Sequence, residues 1–157
     1  MEFLVSISYQ GMSTMPDTLS PSERSKRMSL IRGKNTAPEM AVRQMLRSMG
    51  IRYSQHPKDL PGCPDIVFRR QRKVIFIHGC FWHRHQGVTC RLARLPKSRL
   101  DFWLPKLESN RLRDQRTRRA LRAQKWKVMV VWECQLVHKE LLENKLRRFL
   151  RGDHASH

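Results

Sequence analysis

Between His78 and His85 the chain reads His-Gly-Cys-Phe-Trp-His-Arg-His, placing three imidazoles, a thiol and two large aromatic rings in one short segment. Imidazole titrates near neutrality and can take a proton from an attacking water, which makes His83 a candidate general base. Cys80, His85 and Cys90 recur at five-residue steps, and Cys134 follows a distant apolar run. Three thiolates and an imidazole suit a closed tetrahedral zinc site, in which Cys134 would pin the loop to a remote strand. The competing reading makes Cys80 and Cys134 small core residues and His85 an ordinary loop residue. Cys63, between Gly62 and Pro64, stands outside both readings.

A second group is acidic. Asp65 opens the run Asp-Ile-Val-Phe and the next apolar run ends at Ile77-His78, so a hairpin would bring these positions together. A carboxylate there is a natural ligand for Mg²⁺, a hard ion that takes carboxylates, waters and phosphate oxygens. Lys106, Asn110 and Asp114 fall at four-residue intervals and share a helix face. Asp114 could then orient His83, while Lys106 or Asn110 meets phosphate. In the plainer alternative Asp114 pairs with Arg111 or Arg118 on a solvated face. Phe81, Trp82 and Trp103 are candidate wedges between base pairs, whereas Trp126 and Trp132, beside or within a strand, read as core.

These residues need elements to hold them. Ser20-Pro21-Ser22-Glu23 and Thr36-Ala37-Pro38-Glu39 both match a capping box with proline at the first helical position. They predict a short basic helix to about Ile31 and a second helix, apolar at Met40, Val42, Met45, Leu46 and Met49, that ends at Gly50. Strands are expected at 51–55, 65–69 and 73–77, the last two as a hairpin. A helix follows, starting at Ser98 or Pro105 and reaching about Lys125, with Leu104, Leu107, Leu112, Ala120 and Leu121 inward and arginines outward. Lys127–Trp132 reads as a buried strand and Lys139–Leu150 as an amphipathic helix. The sum is an α/β fold with a mixed sheet.

The chain has 157 residues, of which 39% are hydrophobic, enough for one modest core. Residues 19–151 are expected to form a single domain, with 1–18 a disordered leader and 152–157 a disordered tail. Lys and Arg number 32 against 13 Asp and Glu, a net charge of +19 spread from Arg24 to Arg151. Such a surface attracts polyanions, nucleic acid above all, although a ribosomal-type or solubilising surplus gives the same count. No apolar run is long enough to span a bilayer. The N-terminal stretch lacks the basic residues and cleavage site of a secretory signal, so the cysteines are expected in a reducing cytoplasm, where metal binding is the usual role.

Pro64-Asp65, the run from Val74 to His83, Asp101-Phe102-Trp103-Leu104, Asn110 with Asp114, and Val131-Trp132-Glu133-Cys134 together resemble the very-short-patch repair endonucleases of bacteria. These enzymes nick DNA at T:G mismatches left by deamination of 5-methylcytosine. The resemblance spans about Ser22 to Glu140. It implies a restriction-endonuclease-like mixed β-sheet flanked by α-helices, with Asp65 and the backbone carbonyl of Ile77 holding Mg²⁺. It further implies His83 as base with Asp114 as its orienting partner, His78 near the scissile phosphate, and Glu39 completing the site. Cys80, His85, Cys90 and Cys134 would hold a structural Zn²⁺. Phe81, Trp82 and Trp103 would intercalate, with Lys106 and Asn110 also on the DNA. The implied partner is duplex DNA with a T:G mismatch, met by a monomer associated with the bacterial nucleoid; mismatch-repair proteins and a DNA cytosine methyltransferase are implied associates. A non-catalytic zinc-containing DNA-binding module and a restriction-type nuclease on matched DNA remain the rival readings. Ile77 stands where the family pattern has threonine, Arg84 interrupts a histidine run, and Gln86 to Thr89 lengthen the loop before Cys90.

Overall fold

The structure is a computed structural model that describes residues 20, 22–23, 34–87 and 89–151. The chain divides into two compact units, Met1–Leu30 and Ile31–His157. In the first, the Ser20 amide donates to Glu23 Oε2 (2.9 Å) and the Glu23 amide donates to Ser20 Oγ (3.3 Å), the reciprocal bonds of a capping box. The rest of the helix expected to run to Ile31, the leader 1–18 and the tail 152–157 lie outside the described residues.

The second unit runs helix α1 (Ala37–Ser48), strands β1 (Ile66–Phe68) and β2 (Lys73–His78), helix α2 (Leu100–Ala123), strand β3 (Lys127–Trp132) and helix α3 (Lys139–Arg151). Thr36 and Glu39 cap α1 reciprocally. At its other end the Gly50 and Ile51 amides donate to the carbonyls of Arg47 and Leu46, with Gly50 in the left-handed region at φ +70°. A Cβ-bearing residue would be strained there.

The sheet has the order β1-β2-β3. β1 and β2 form the expected hairpin, Ile66 opposite Ile75 and Phe68 opposite Lys73, turned by a short 3-10 segment at Arg69–Gln71. β2 and β3 run parallel, Ile77 opposite Val131, and are joined through α2. Because side chains alternate along a strand, the sheet feeds two cores. Ile66, Phe68, Ile75, Ile77, Met129 and Val131 pack with Val42, Met45 and Leu46 of α1 and Leu142 and Leu146 of α3. Val67, Val74 and Phe76 pack on the other face with Leu60, Trp126 and Leu121 of α2.

Several expectations change. The 51–55 segment is no strand: Ser54 alone bridges to Val67 before the chain turns at His56, whose φ is +44°. β3 is not the buried strand expected: it buries only Met129 and Val131, whereas β1 and β2 are buried along their whole length. Met40 is exposed, whereas Glu39 and Arg43, both charged, share the inward stripe of α1 with Val42 and Leu46. On α2, Leu107 and Leu121 are buried, but Leu104 and Leu112 face out. α2 begins at Leu100 and carries Pro105 within it. Lys73 is buried by threading its stem past Phe149 so that Nζ donates to the Leu150 carbonyl at 3.0 Å, satisfying an otherwise unpaired helix-end acceptor.

Candidate active site and cysteine cluster

β2 ends at Ile77-His78, and these two residues look to opposite faces of the sheet. On the α1 side the Ile77 amide donates to Asp65 Oδ2 at 2.6 Å. A strand residue turns its N–H and C=O toward the same neighbour, so the Ile77 carbonyl also faces Asp65, beyond the last β1 pairing at Ile66. Glu39 reaches the same place from α1, and Glu39, His56 and Asp65 bring one ligand atom each within 4.8 Å of one another. Burial, with the Glu39 carboxylate alongside, pushes the Asp65 carboxyl up to about 8. A buried and a half-buried carboxylate that cannot comfortably both ionise form a donor set that a divalent cation satisfies.

On the α2 side His78 stacks on His83, ring centroids 3.8 Å apart and planes 10° from parallel. Burial, reinforced by the neighbouring His83, pushes His78 down to about 3, so its ring is neutral at physiological pH. His83 Nδ1 lies 2.5 Å from Asp114 Oδ2. Burial raises the Asp114 carboxyl, but the His83 hydrogen bond and the electrostatic pull of His83, His78 and Arg113 together outweigh it and leave the group below its ordinary value. A carboxylate accepts only, so Nδ1 carries the proton and the Nε2 lone pair is free to act as base. The alternative pairing is not made: Arg118 donates to the Asp114 backbone carbonyl at 3.4 Å and Arg111 pairs with Glu108. Beside His83 opens a cleft of about 260 Å³, lined in part by Arg84, Arg111, Gln115 and Arg118.

Cys80, His85, Cys90 and Cys134 converge within the same 4.8 Å limit despite the longer loop, and Cys63 is exposed and elsewhere. Burial pushes the Cys80 and Cys134 thiols above their ordinary value, and three thiols with an imidazole at this separation are a donor set that could hold a zinc ion. Cys134 Sγ is 3.5 Å from His85 Nδ1, and the Cys134 amide approaches Cys80 Sγ at 3.4 Å. A Cβ at Gly87 would meet His85 Cε1 at 2.9 Å, so glycine lets the loop fold over the cluster.

Phe81, Trp82, Phe102 and Trp103 pack edge to face, with centroids 5.0 to 6.0 Å apart. Asn110, expected at the DNA, spends its amide on the Trp82 carbonyl at 3.1 Å and so braces this aromatic loop. Lys106 Nζ lies 5.7 Å from the Phe102 ring centre. Trp126 is core, but Trp132 is not: it stacks on His85 at 4.3 Å and meets His78 edge-on, dividing the cysteine cluster from the histidine pair. Sequence reasoning missed His56 and Arg43. The available signal was the Glu39-x3-Arg43 spacing, an ion pair on an otherwise apolar helix face.

The fold alone is that of a nuclease domain: the structure superposes on the "Homing Endonuclease I-Bth0305I Catalytic Domain" with a TM-score of 0.52, 15% identity, and coverage of 77% of this chain and 100% of that one. A profile described as "DNA mismatch endonuclease Vsr" matches residues 16–89. The chain is 55% identical over 136 residues to the "Type II nicking enzyme V.XorIIP" of Xanthomonas oryzae pv. oryzae, covering 87% of this chain and 98% of that protein. It is 37% identical over 147 residues to the "DNA mismatch endonuclease Vsr" of Escherichia coli K12, covering 90% and 92%. The chain belongs to the Vsr family and is a DNA endonuclease, a phosphodiester hydrolase. No helix among the described residues is long and apolar enough to cross a membrane.

Proposed function

We propose that this enzyme nicks one strand of duplex DNA on the 5′ side of the thymine of a T:G mismatch, in a Mg²⁺-dependent hydrolysis. The observation that carries the chemistry is the junction at Ile77-His78: one residue abuts the Asp65–Glu39 acidic pair, and the next stacks on a histidine oriented by Asp114. Asp65, the Ile77 carbonyl and Glu39 would hold Mg²⁺, which when bound stabilises charge developing on the phosphate and the leaving oxygen. His83 Nε2 takes a proton from the attacking water as its oxygen bonds to phosphorus. The bond from phosphorus to the 3′ oxygen then breaks, its electron pair staying on that oxygen, which takes a proton from solvent water, leaving a 3′ hydroxyl and a 5′ phosphate. Asp114 stabilises the imidazolium that forms. His78, buried and neutral, offers a hydrogen bond to the phosphate without adding a competing charge.

The cysteine cluster would hold a structural zinc that fixes the segment from Cys80 to His85, and with it both His83 and the aromatic wedge of Phe81, Trp82 and Trp103. The restriction-endonuclease type of fold agrees with a mixed sheet flanked by helices. Mismatch specificity is supported by the family description, whereas several relatives are named as type II nicking enzymes. The wedge at a mismatch, where unstacking is cheapest, favours the repair reading.

A labelled T:G duplex incubated with Mg²⁺ tests this. One nick on the thymine strand, lost in Asp65→Ala and His83→Ala with folding and duplex binding retained, is expected. Cleavage of both strands would support the restriction-type reading, and binding without cleavage the non-catalytic module.

A further inference from the structure

Arg43 is buried at 3% exposure against the acidic pair, with Nη2 3.6 Å from Glu39 Oε2. The same Nη2 lies 2.8 Å from His56 Nε2. A guanidinium has only donors to offer, so His56 Nε2 must accept and the neutral ring must carry its proton on Nδ1. Nδ1 lies 3.9 Å from Asp65 Oδ1, an electrostatic rather than a hydrogen-bonding separation, and Nε2 is also 3.7 Å from Glu39 Oε1. The other Asp65 oxygen is already held by the Ile77 amide. Arg43 is itself fixed by Asn35, whose Oδ1 accepts from Nη1 at 2.6 Å. The ring stays in place although His56 adopts a left-handed backbone, φ +44°, that histidine pays for and that active sites tend to retain.

We propose that Arg43 and His56 form a positioning relay for the cation-binding carboxylate, in which Arg43 selects the His56 tautomer and His56 orients Asp65 toward the metal. This rests on the reading of Asp65 as a metal ligand. His56 is a positioning residue, since its Nε2 is occupied by Arg43 and its Nδ1 carries the proton. Partners of this kind, one step behind the ligands, set the direction of a carboxylate lone pair and hence metal affinity.

The test is direct binding of Mn²⁺, followed by electron paramagnetic resonance of the free ion, with the full chain and no DNA. His56→Gly removes the ring and relieves the backbone. His56→Asn keeps a donor at the Nδ1 position, and asparagine tolerates a left-handed conformation. Removing the ring should weaken Mn²⁺ binding about 10- to 100-fold, with His56→Asn within about threefold of the parent and melting temperatures of the metal-free proteins alike. Nitrogen-15 spectra of the parent should show the His56 proton on Nδ1. Unchanged Mn²⁺ affinity in His56→Gly, or a proton on Nε2, overturns the relay. Asp65→Asn separates the two failures: if it binds Mn²⁺ as the parent does, the metal-site reading itself is wrong.

Discussion

Replacing Asp114 by asparagine changes one oxygen to an amide and leaves the shape of the site intact, so it isolates what the carboxylate contributes. His83 Nδ1 and Asp114 Oδ2 are 2.5 Å apart, and their side chains are 23% and 14% exposed. Solvent therefore screens the pair only in part. As the water loses its proton the imidazole becomes a cation, and at an effective dielectric constant of about 20 a charge pair separated by roughly 4 Å is worth about 4 kcal/mol. That corresponds to about 10³-fold in rate, inside the range of about 10²- to 10⁴-fold typical of a positioned general base. An asparagine that turns its NH₂ toward Nδ1 would in addition hold the ring in the wrong tautomer. Single-turnover nicking of a T:G duplex under saturating Mg²⁺ reads the effect, with duplex affinity measured in parallel. A drop of that size with affinity unchanged is expected. Asp114→Asn activity within about tenfold of the parent, alongside an inactive His83→Ala, would refute the dyad.

The chain should bind one zinc per molecule by metal analysis; Cys90→Ser or Cys134→Ser should lower zinc content and melting temperature, while Cys63→Ser, at an exposed thiol outside the cluster, should change neither. Trp82→Ala should cut the preference for T:G over matched duplex about 5- to 150-fold, on a scale of about 1–3 kcal/mol for base–aromatic stacking, and equal losses on both duplexes would remove the wedge role. The Asp65 carboxyl is raised in the folded protein from 3.8 to about 8, so the native state holds this proton more tightly than the unfolded chain. Its contribution to stability is complete below the lower value and fades as pH rises toward the upper one. Metal-free protein should therefore lose melting temperature across that window and Asp65→Asn should flatten the decline. Mg²⁺, replacing the proton, should restore stability most at the alkaline end. An identical pH slope in Asp65→Asn would place the effect elsewhere.

The segment from His78 to His85 was legible as a candidate site because its chemistry is local: residue types and spacing suggest roles before any fold is known. Cys90 and Cys134 could be joined to it because few residue types bind zinc. The hairpin and the helix caps were legible for the same local reason. What escaped depends on convergence. His56 lies in a loop, with no glycine or asparagine to advertise its left-handed backbone, and only the folded chain brings it to Arg43 and Asp65. On α1 the apolar spacing hid a buried ion pair, so Met40 was assigned a core place that belongs to Arg43. Ile51 and Tyr53 have the composition of a strand, but the chain pairs there only at Ser54. The sequence put Asn110 at the DNA without revealing the Trp82 carbonyl it touches, and Trp132, read as core, stacks instead on His85.

The most direct test of the whole account is a comparison of strand-specific nicking on T:G and matched duplexes of identical flanking sequence, with and without Mg²⁺. A single cut 5′ to the mismatched thymine, only with Mg²⁺, and little cutting of the matched duplex are expected. Equal nicking of matched and mismatched DNA, or nicking that persists without a divalent cation, would contradict it.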